Sequence, residues 1–345
     1  MNGPQRLALD IGGANLKAAH SGGAARSTAF ELWKQPARLA DALARLIAAM
    51  PAAEEVVVTM TAELCDCYET KAAGVLAVLD ACREASDRRP VLVWSVDGRF
   101  HTPEEIGTEP GLAAAANWLA LATLAARQIP DGSGLAIDIG STTADLIPCS
   151  RGMPCPRGRT DSARLGTGEL VYAGVRRTPI CALARELPYR GTTTGLAAEL
   201  FATTLDVYLT LGEIAPDADD RSTADGRPAT VDAARDRLAR MVGADRDGFS
   251  PEDAFILAGA ADAALLDRLQ AAAIRACEGA IGEGPGVVVV SGSGGFLARR
   301  LAGRLLGPGG SVVDLGQVWG PSASEAGCAF ALLTLAAERP SEGFA

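Results

Sequence analysis

The sequence predicts an α/β protein of two lobes, and three observations carry that expectation. The tripeptide Asp-Ile-Gly stands at 10–12 and again at 138–140, each time after an apolar run and before a second one. Each repeat reads as a β-hairpin whose tip offers backbone N–H groups to an anion. The short apolar runs at 56–60, 91–95 and 287–290 read as strands, the first of the kind found in a parallel sheet covered on both faces. Finally, 345 residues are enough for two ordinary domains, and 48% hydrophobic residues supply a sizeable core.

Taken in order, residues 5–11 form a strand and Asn15 to His20 return beside it, with Gly12 and Gly13 making the turn. Asn15 and Lys17 flank that tip. Residues 37–50 repeat apolar positions at helical spacing (Leu39, Leu43, Leu46, Ile47, Met50), and Pro51 stops the run. The segment 59–71 past the next strand gathers hydroxyls, carboxylates and Lys71. In open α/β sheets that edge is where ligands bind. It reads equally as a solvated loop leading into a helix at 71–85, with Glu69 serving the helix N-terminus. An Ala-rich helix is expected over 111–127, and the composition shift at 129–134 separates lobe I (1–129) from lobe II (130–321).

In the second hairpin, Asp138 stands where a carboxylate can hold Mg²⁺ bound to the same anion. Gly140, Ser141, Thr142 and Thr143 form the tip. Residues 149–195 interleave arginines with Gly, Pro and Thr, and read as a substrate loop closing over an anion by bidentate guanidinium contacts. The competing reading is a solvated stretch balancing an acidic protein. Helices are expected at 196–211, 230–242 and 251–277. A four-Val strand then runs into the turn Ser291, Gly292, Gly294, Gly295 and a helix, a combination that suits a nucleotide base, ribose or phosphate. A last helix over about 322–338 is expected to pack back on lobe I.

The net charge of −10 argues against a general nucleic-acid binder. No apolar run approaches a membrane span and no signal pattern opens the chain, so a cytoplasmic protein with no membrane partner is expected. The eight cysteines are scattered, and Cys65 and Cys67 have neither the spacing nor the second pair of a zinc site.

The two hairpins and the third turn, in this order and at this spread, resemble the sugar kinase, actin and heat-shock ATPase superfamily. That resemblance implies a two-lobed actin-like ATPase (ribonuclease-H-like) fold with a ligand cleft between the lobes. It also implies that Asp10 to Lys17 and Asp138 to Asp145 grip phosphate and Mg²⁺, and that the turn at 291–295 contacts adenosine. Further stretches narrow it: LDIGGAN at 9–15, VTMTAE at 58–63, DCYETK at 66–71, AAANW at 114–118, GELVY at 168–172, RTP at 177–179, FATTLDVY at 201–208 and TADG at 223–226. These resemble the hydantoinase/oxoprolinase-like branch associated with tetrahydromethanopterin-linked one-carbon transfer, which includes the methanofuran-biosynthesis synthases joining a furan to a tyramine.

The resemblance implies a transferase. An aminomethylfuran-methyl diphosphate would lose diphosphate to the phenol oxygen of tyramine or γ-glutamyl-tyramine, giving an aryl furfuryl ether. Asp10 and Asp138 would hold Mg²⁺ as the departing diphosphate leaves. Glu63 would accept the phenol proton. Gly12, Gly13, Asn15, Lys17, the tip residues 140–143, Arg164, Glu169, Tyr172 and Arg177 would bind substrate or diphosphate. ATP is not required by this reading. An ATP-dependent small-molecule kinase and a non-catalytic nucleotide-binding protein are the alternatives; the dense polar loops at 59–71 and 160–179 weigh against the second.

Overall fold

The computed structural model describes residues 4–282, 284–320 and 326–339. They form two compact units. The first comprises Met1–Ala136, Cys149–Ala163 and Val313–Ala345; the second comprises Ile137–Pro148 and Arg164–Val312.

The first unit is built on a six-stranded mixed sheet. Its strands are β1 (Arg6–Ile11), β2 (Asn15–His20), β3 (Ala25–Ala29), β4 (Glu55–Met60), β5 (Val91–Trp94) and β6 (Phe100–His101), in the order β3-β2-β1-β4-β5-β6. β1 pairs antiparallel with β2 and parallel with β4, which pairs parallel with β5. Every residue of β4 is buried, Glu55 and Thr59 included, and the run Val56–Val58 at its centre is what a strand covered on both faces requires. Residues Leu9, Ile11, Val58 and Met60 join a core with Leu39, Leu43, Leu46 and Ile47 of α1 (Leu39–Ala48) and Val75, Val78 and Leu79 of α2 (Lys71–Ala85). Thr70 caps α2 by accepting from the Ala73 N–H at 3.1 Å. The short helix α3 (Pro103–Thr108) opens on a capping box between Thr102 and Glu105.

The Ala-rich helix expected over 111–127 is shorter. Residues Pro110–Leu112 form a 3₁₀ turn, Ala115 takes a left-handed conformation (φ 47°), and α4 begins at Asn117 and ends at Ala126. High helix propensity therefore yields at 113–116 to tertiary packing. The last described helix is Gly327–Ala337, which packs against α4, β1, β2 and β4. Residues 322–325 of the helix expected at 322–338 lie outside the described ones.

The second sheet has the order β10-β8-β7-β13-β14, with β9 paired to β8. Its strands are β7 (Ser133–Ile139), β8 (Ala144–Ser150), β9 (Met153–Pro154), β10 (Leu170–Val171), β13 (Val287–Ser291) and β14 (Ser311–Asp314). A separate hairpin, β11 (Glu186–Tyr189) and β12 (Thr192–Gly195), turns on Arg190 and Gly191, both at positive φ (49° and 75°). That combination is what a tight two-residue hairpin demands. The region 149–195 is thus divided among strands and the helix α5 (Asp161–Thr167), and its part Cys149–Ala163 groups with the first unit.

The helix expected over 196–211 begins only at Thr204. Asp206 accepts from the Thr203 N–H at 2.9 Å in a capping box, so α6 runs Thr204–Thr210. Helices α7 (Val231–Met241), α8 (Pro251–Ala280) and α9 (Gly295–Leu305) follow close to expectation. α8 starts on Ser250, Pro251 and Asp253, which together form a capping box with proline in the first turn. Among the described residues no helix is long and apolar enough to cross a membrane.

Candidate active site

In the first unit the hairpin tip closes by a 3.0 Å hydrogen bond from the Gly12 N–H to the Asn15 carbonyl. A Cβ at Gly13 would sit 2.5 Å from Cys65 Sγ, so the turn is packed directly on the loop after β4. Asp10 lies opposite Lys17 across β1–β2 and beside Thr59 across β1–β4. All three side chains therefore point to one face of the sheet. Burial holds the Asp10 carboxyl above the usual carboxylate range, against the Lys17 charge and a hydrogen bond donated by the Asn117 side chain. Asp10 Oδ1 and Thr59 Oγ1 are buried and accept or donate no hydrogen bond among the described residues.

Glu63 follows four residues later in the 3₁₀ turn Ala62–Leu64 and is 1% exposed. Neither of its carboxyl oxygens makes a well-formed hydrogen bond among the described residues. Burial pushes the carboxyl up to about 7; the backbone at Glu63, the Lys71 charge and the Ala115 backbone oppose the rise, and Asp161 adds to it. The helix break before α4 has its consequence here, because it turns the Ala115 backbone toward Glu63. Gly74 on α2 matters for a steric reason: a Cβ there would meet the Glu63 carbonyl oxygen at 2.4 Å and its Cα at 2.7 Å. Lys71 is tied to Asp161 by a 2.7 Å ion pair.

The second unit holds the other two motifs together. The β7–β8 tip closes by a 2.9 Å bond from the Gly140 N–H to the Thr143 carbonyl, and residues 140–143 are half-buried. A strap over 174–177 lies on that tip. The Val175 N–H donates to the Gly140 carbonyl, and the Arg176 and Arg177 N–H groups donate to the Ser141 carbonyl, each at 3.0 Å. Gly174 permits the approach, since a Cβ would meet the Gly140 carbonyl oxygen at 2.4 Å and the Thr142 nitrogen at 2.5 Å. The third turn packs on the same hairpin. Ser291 Oγ donates to Asp138 Oδ1 at 2.7 Å, and the Gly294 N–H donates to the Ile139 carbonyl at 2.8 Å. Gly292 has φ 88° and leaves no room for a Cβ beside Ile139 and Asp138. Gly295 opens α9.

The predicted substrate residues separate into two groups. Arg164 and Glu169 are fully buried; the Arg164 guanidinium pairs with Asp145 and donates to the Glu169 carbonyl at 3.3 Å. Arg177 and Tyr172 are exposed. Sequence reasoning gave no role to Asp161, Gly74 or Gly174, and met Thr59 and Lys71 only as members of the polar segment 59–71 and Asn117 only as a residue embedded in the Ala-rich helix. An Asn in an otherwise apolar helix was the available signal for that last one.

A family model of hydantoinase/oxoprolinase matches residues 54–336. The chain belongs to the hydantoinase/oxoprolinase family. Within it, the chain is 37% identical over 244 residues to the (4-{4-[2-(γ-L-glutamylamino)ethyl]phenoxymethyl}furan-2-yl)methanamine synthase of Methanocaldococcus jannaschii, covering 70% of this chain and 72% of that one. The synthase of the same name from Methanococcus vannielii is 32% identical over 128 residues, covering 37% of this chain and 57% of that one. Among solved structures, a nucleotide-free acetone carboxylase aligns with a TM-score of 0.55 at 12% identity, over 97% of this chain and 70% of that one. The α/β, actin-like fold expected from the three motifs is the fold observed.

Proposed function

We propose that this family member is the transferase that forms the aryl furfuryl ether of a methanofuran-type cofactor. An aminomethylfuran-methyl diphosphate would react with the phenol of γ-glutamyl-tyramine, or of tyramine, and release diphosphate. The product named for the archaeal relatives contains that phenoxymethyl–furan bond. The observation in this chain that supports the reading best is Glu63, a buried carboxyl without a well-formed hydrogen bond, raised to about 7 and thus poised to take a proton near neutrality.

The phenol oxygen attacks the furfuryl CH₂, forming the new C–O bond. The bond to diphosphate breaks and its electron pair leaves with the diphosphate, while the phenol proton passes to the Glu63 carboxylate. A furan stabilises positive charge on its attached CH₂, so the step depends chiefly on accommodating the leaving group. Lys17, Arg177 and the N–H groups of the two hairpin tips are the groups in this reading that contact diphosphate.

Asp10 and Asp138 would hold Mg²⁺. Asp10 fits, because one buried carboxyl oxygen has no hydrogen bond among the described residues and a neighbouring cation favours its ionised form. Among the described residues there is no cluster of three or more His, Cys, Asp or Glu arranged for a metal. A Mg²⁺ shared with diphosphate and water needs only one or two carboxylates. When bound, the ion supplies charge that neutralises diphosphate. The test is a coupled assay with the furfuryl-type diphosphate, γ-glutamyl-tyramine or tyramine, and Mg²⁺, without nucleotide. Diphosphate release is expected. No diphosphate release there, with ATP consumed in a parallel assay on the furfuryl alcohol or its monophosphate, would instead identify a kinase.

A further inference from the structure

The family-type segment at 66–71 ends on Lys71, and the segment around Asp161 precedes the strap in the second unit. Neither residue has a part in the reaction as described. In the structure both belong to the first unit, and they converge on one group. Lys71 is the first residue of α2, whose next turn presents Gly74 against the Glu63 backbone with no space for a side chain. Lys71 Nζ lies 2.7 Å from Asp161 Oδ2, the lysine side chain 39% and the aspartate 16% exposed. Asp161 is itself anchored near the first unit's sheet, because Arg159, two residues before it, donates to the Val96 carbonyl.

We propose that Lys71 and Asp161 form a positioning dyad for Glu63, in which the aspartate fixes the ammonium at a distance that keeps Glu63 a usable base without pairing with it. The proposal rests on Glu63 being the base. A lone lysine on a flexible stem would be drawn to a buried carboxylate and form a salt bridge with it. That would lower its basicity and tie up the oxygens that must accept a proton. Asp161 offers the lysine a better-solvated partner. From the elements packed on Glu63, the charged groups that act on it are Lys71 from α2 and Asp161 from the 149–163 segment, while the turn before α4 contributes only the Ala115 backbone. The two charges act in opposite directions, with Lys71 favouring the carboxylate and Asp161 the acid.

The opposition gives the test its sign. The acid limb of kcat/KM reports ionisation of the free enzyme's base. Lys71→Met should move that limb to higher pH and Asp161→Asn to lower pH, each by roughly 0.5–1 pH unit. Lys71→Arg should return it to the wild-type position, and the double variant should lie between the singles. A purely structural role predicts loss of activity in both single variants with an unmoved limb. The measurement is the pH profile of kcat/KM for these four variants, wild type and Glu63→Gln. Opposite displacements support the dyad. Unmoved limbs with an inactive Glu63→Gln overturn the dyad and leave the base in place. A fully active Glu63→Gln enzyme removes the base and the dyad with it.

Discussion

A carboxyl whose ordinary value is 4.5 and which folding raises to about 7 binds more protons in the folded chain than in the unfolded one across that interval. Its contribution to stability is therefore complete below the lower value and is lost as pH rises through the upper one. Above pH 7, keeping Glu63 ionised costs on the order of 3 kcal/mol by that linkage. Glu63→Gln should consequently raise the denaturation midpoint at pH 8 and change it little at pH 4.5, while abolishing turnover. Denaturant titrations at the two pH values check this, and a variant equally destabilised at both would contradict it. The position of Glu63 after a strand end was legible in the sequence. Its surroundings were not, because the Gly74 packing on its backbone, the Ala115 backbone and the Lys71 charge arrive from other elements. The burial of Arg164 was hidden for the same reason. An arginine among glycines reads either as an anion-binding group of a loop or as a solvated one, and only the structure brings up Asp145, 19 residues away, whose pairing permits full burial.

The two Asp-Ile-Gly hairpins were legible because a Gly-containing turn between two apolar runs leaves few other conformations, whereas the short strands β3, β6, β9 to β12 and β14 carry no such apolar run and were not. The starts of α4 and α6 were not, since local propensity favoured longer helices than tertiary packing allowed. The most exacting element contacts are made by glycines whose role is invisible in sequence. Gly174→Ala should push the strap off the 140–143 tip. We expect a raised KM for the diphosphate substrate and a loss of about 1–3 kcal/mol of stability, read by steady-state kinetics and denaturant melts. The same unit depends on a buried ion network: Arg237 of α7 donates from Nε to Asp206 at 2.8 Å and from Nη1 to Asp225 at 3.0 Å, with Arg237 and Asp206 both excluded from solvent. Arg237→Met leaves Asp206 buried without its guanidinium and should cost about 3–5 kcal/mol. Adding Asp206→Asn should recover part of that loss, whereas additive losses in chemical denaturation would contradict a coupled pair.

At the scale of the whole molecule, each unit carries one hairpin with an aspartate at its base and backbone N–H groups near its tip. The sequence made that symmetry plain, together with the third turn. The structure adds that the third turn is joined to the second hairpin through Ser291 and Asp138. Hairpins of this kind suit phosphoryl transfer and diphosphate departure alike, so the fold alone does not choose between them. The choice rests on the family, on the ether named for the archaeal relatives and on the character of Glu63. The most direct measurement uses γ-glutamyl-tyramine labelled with ¹⁸O in its phenol hydroxyl, the furfuryl-type diphosphate and Mg²⁺, with no nucleotide present. The account predicts one diphosphate released per ether formed, with the label retained in the ether and absent from diphosphate. Label appearing in the released phosphate, or ether formation that requires ATP, would contradict it.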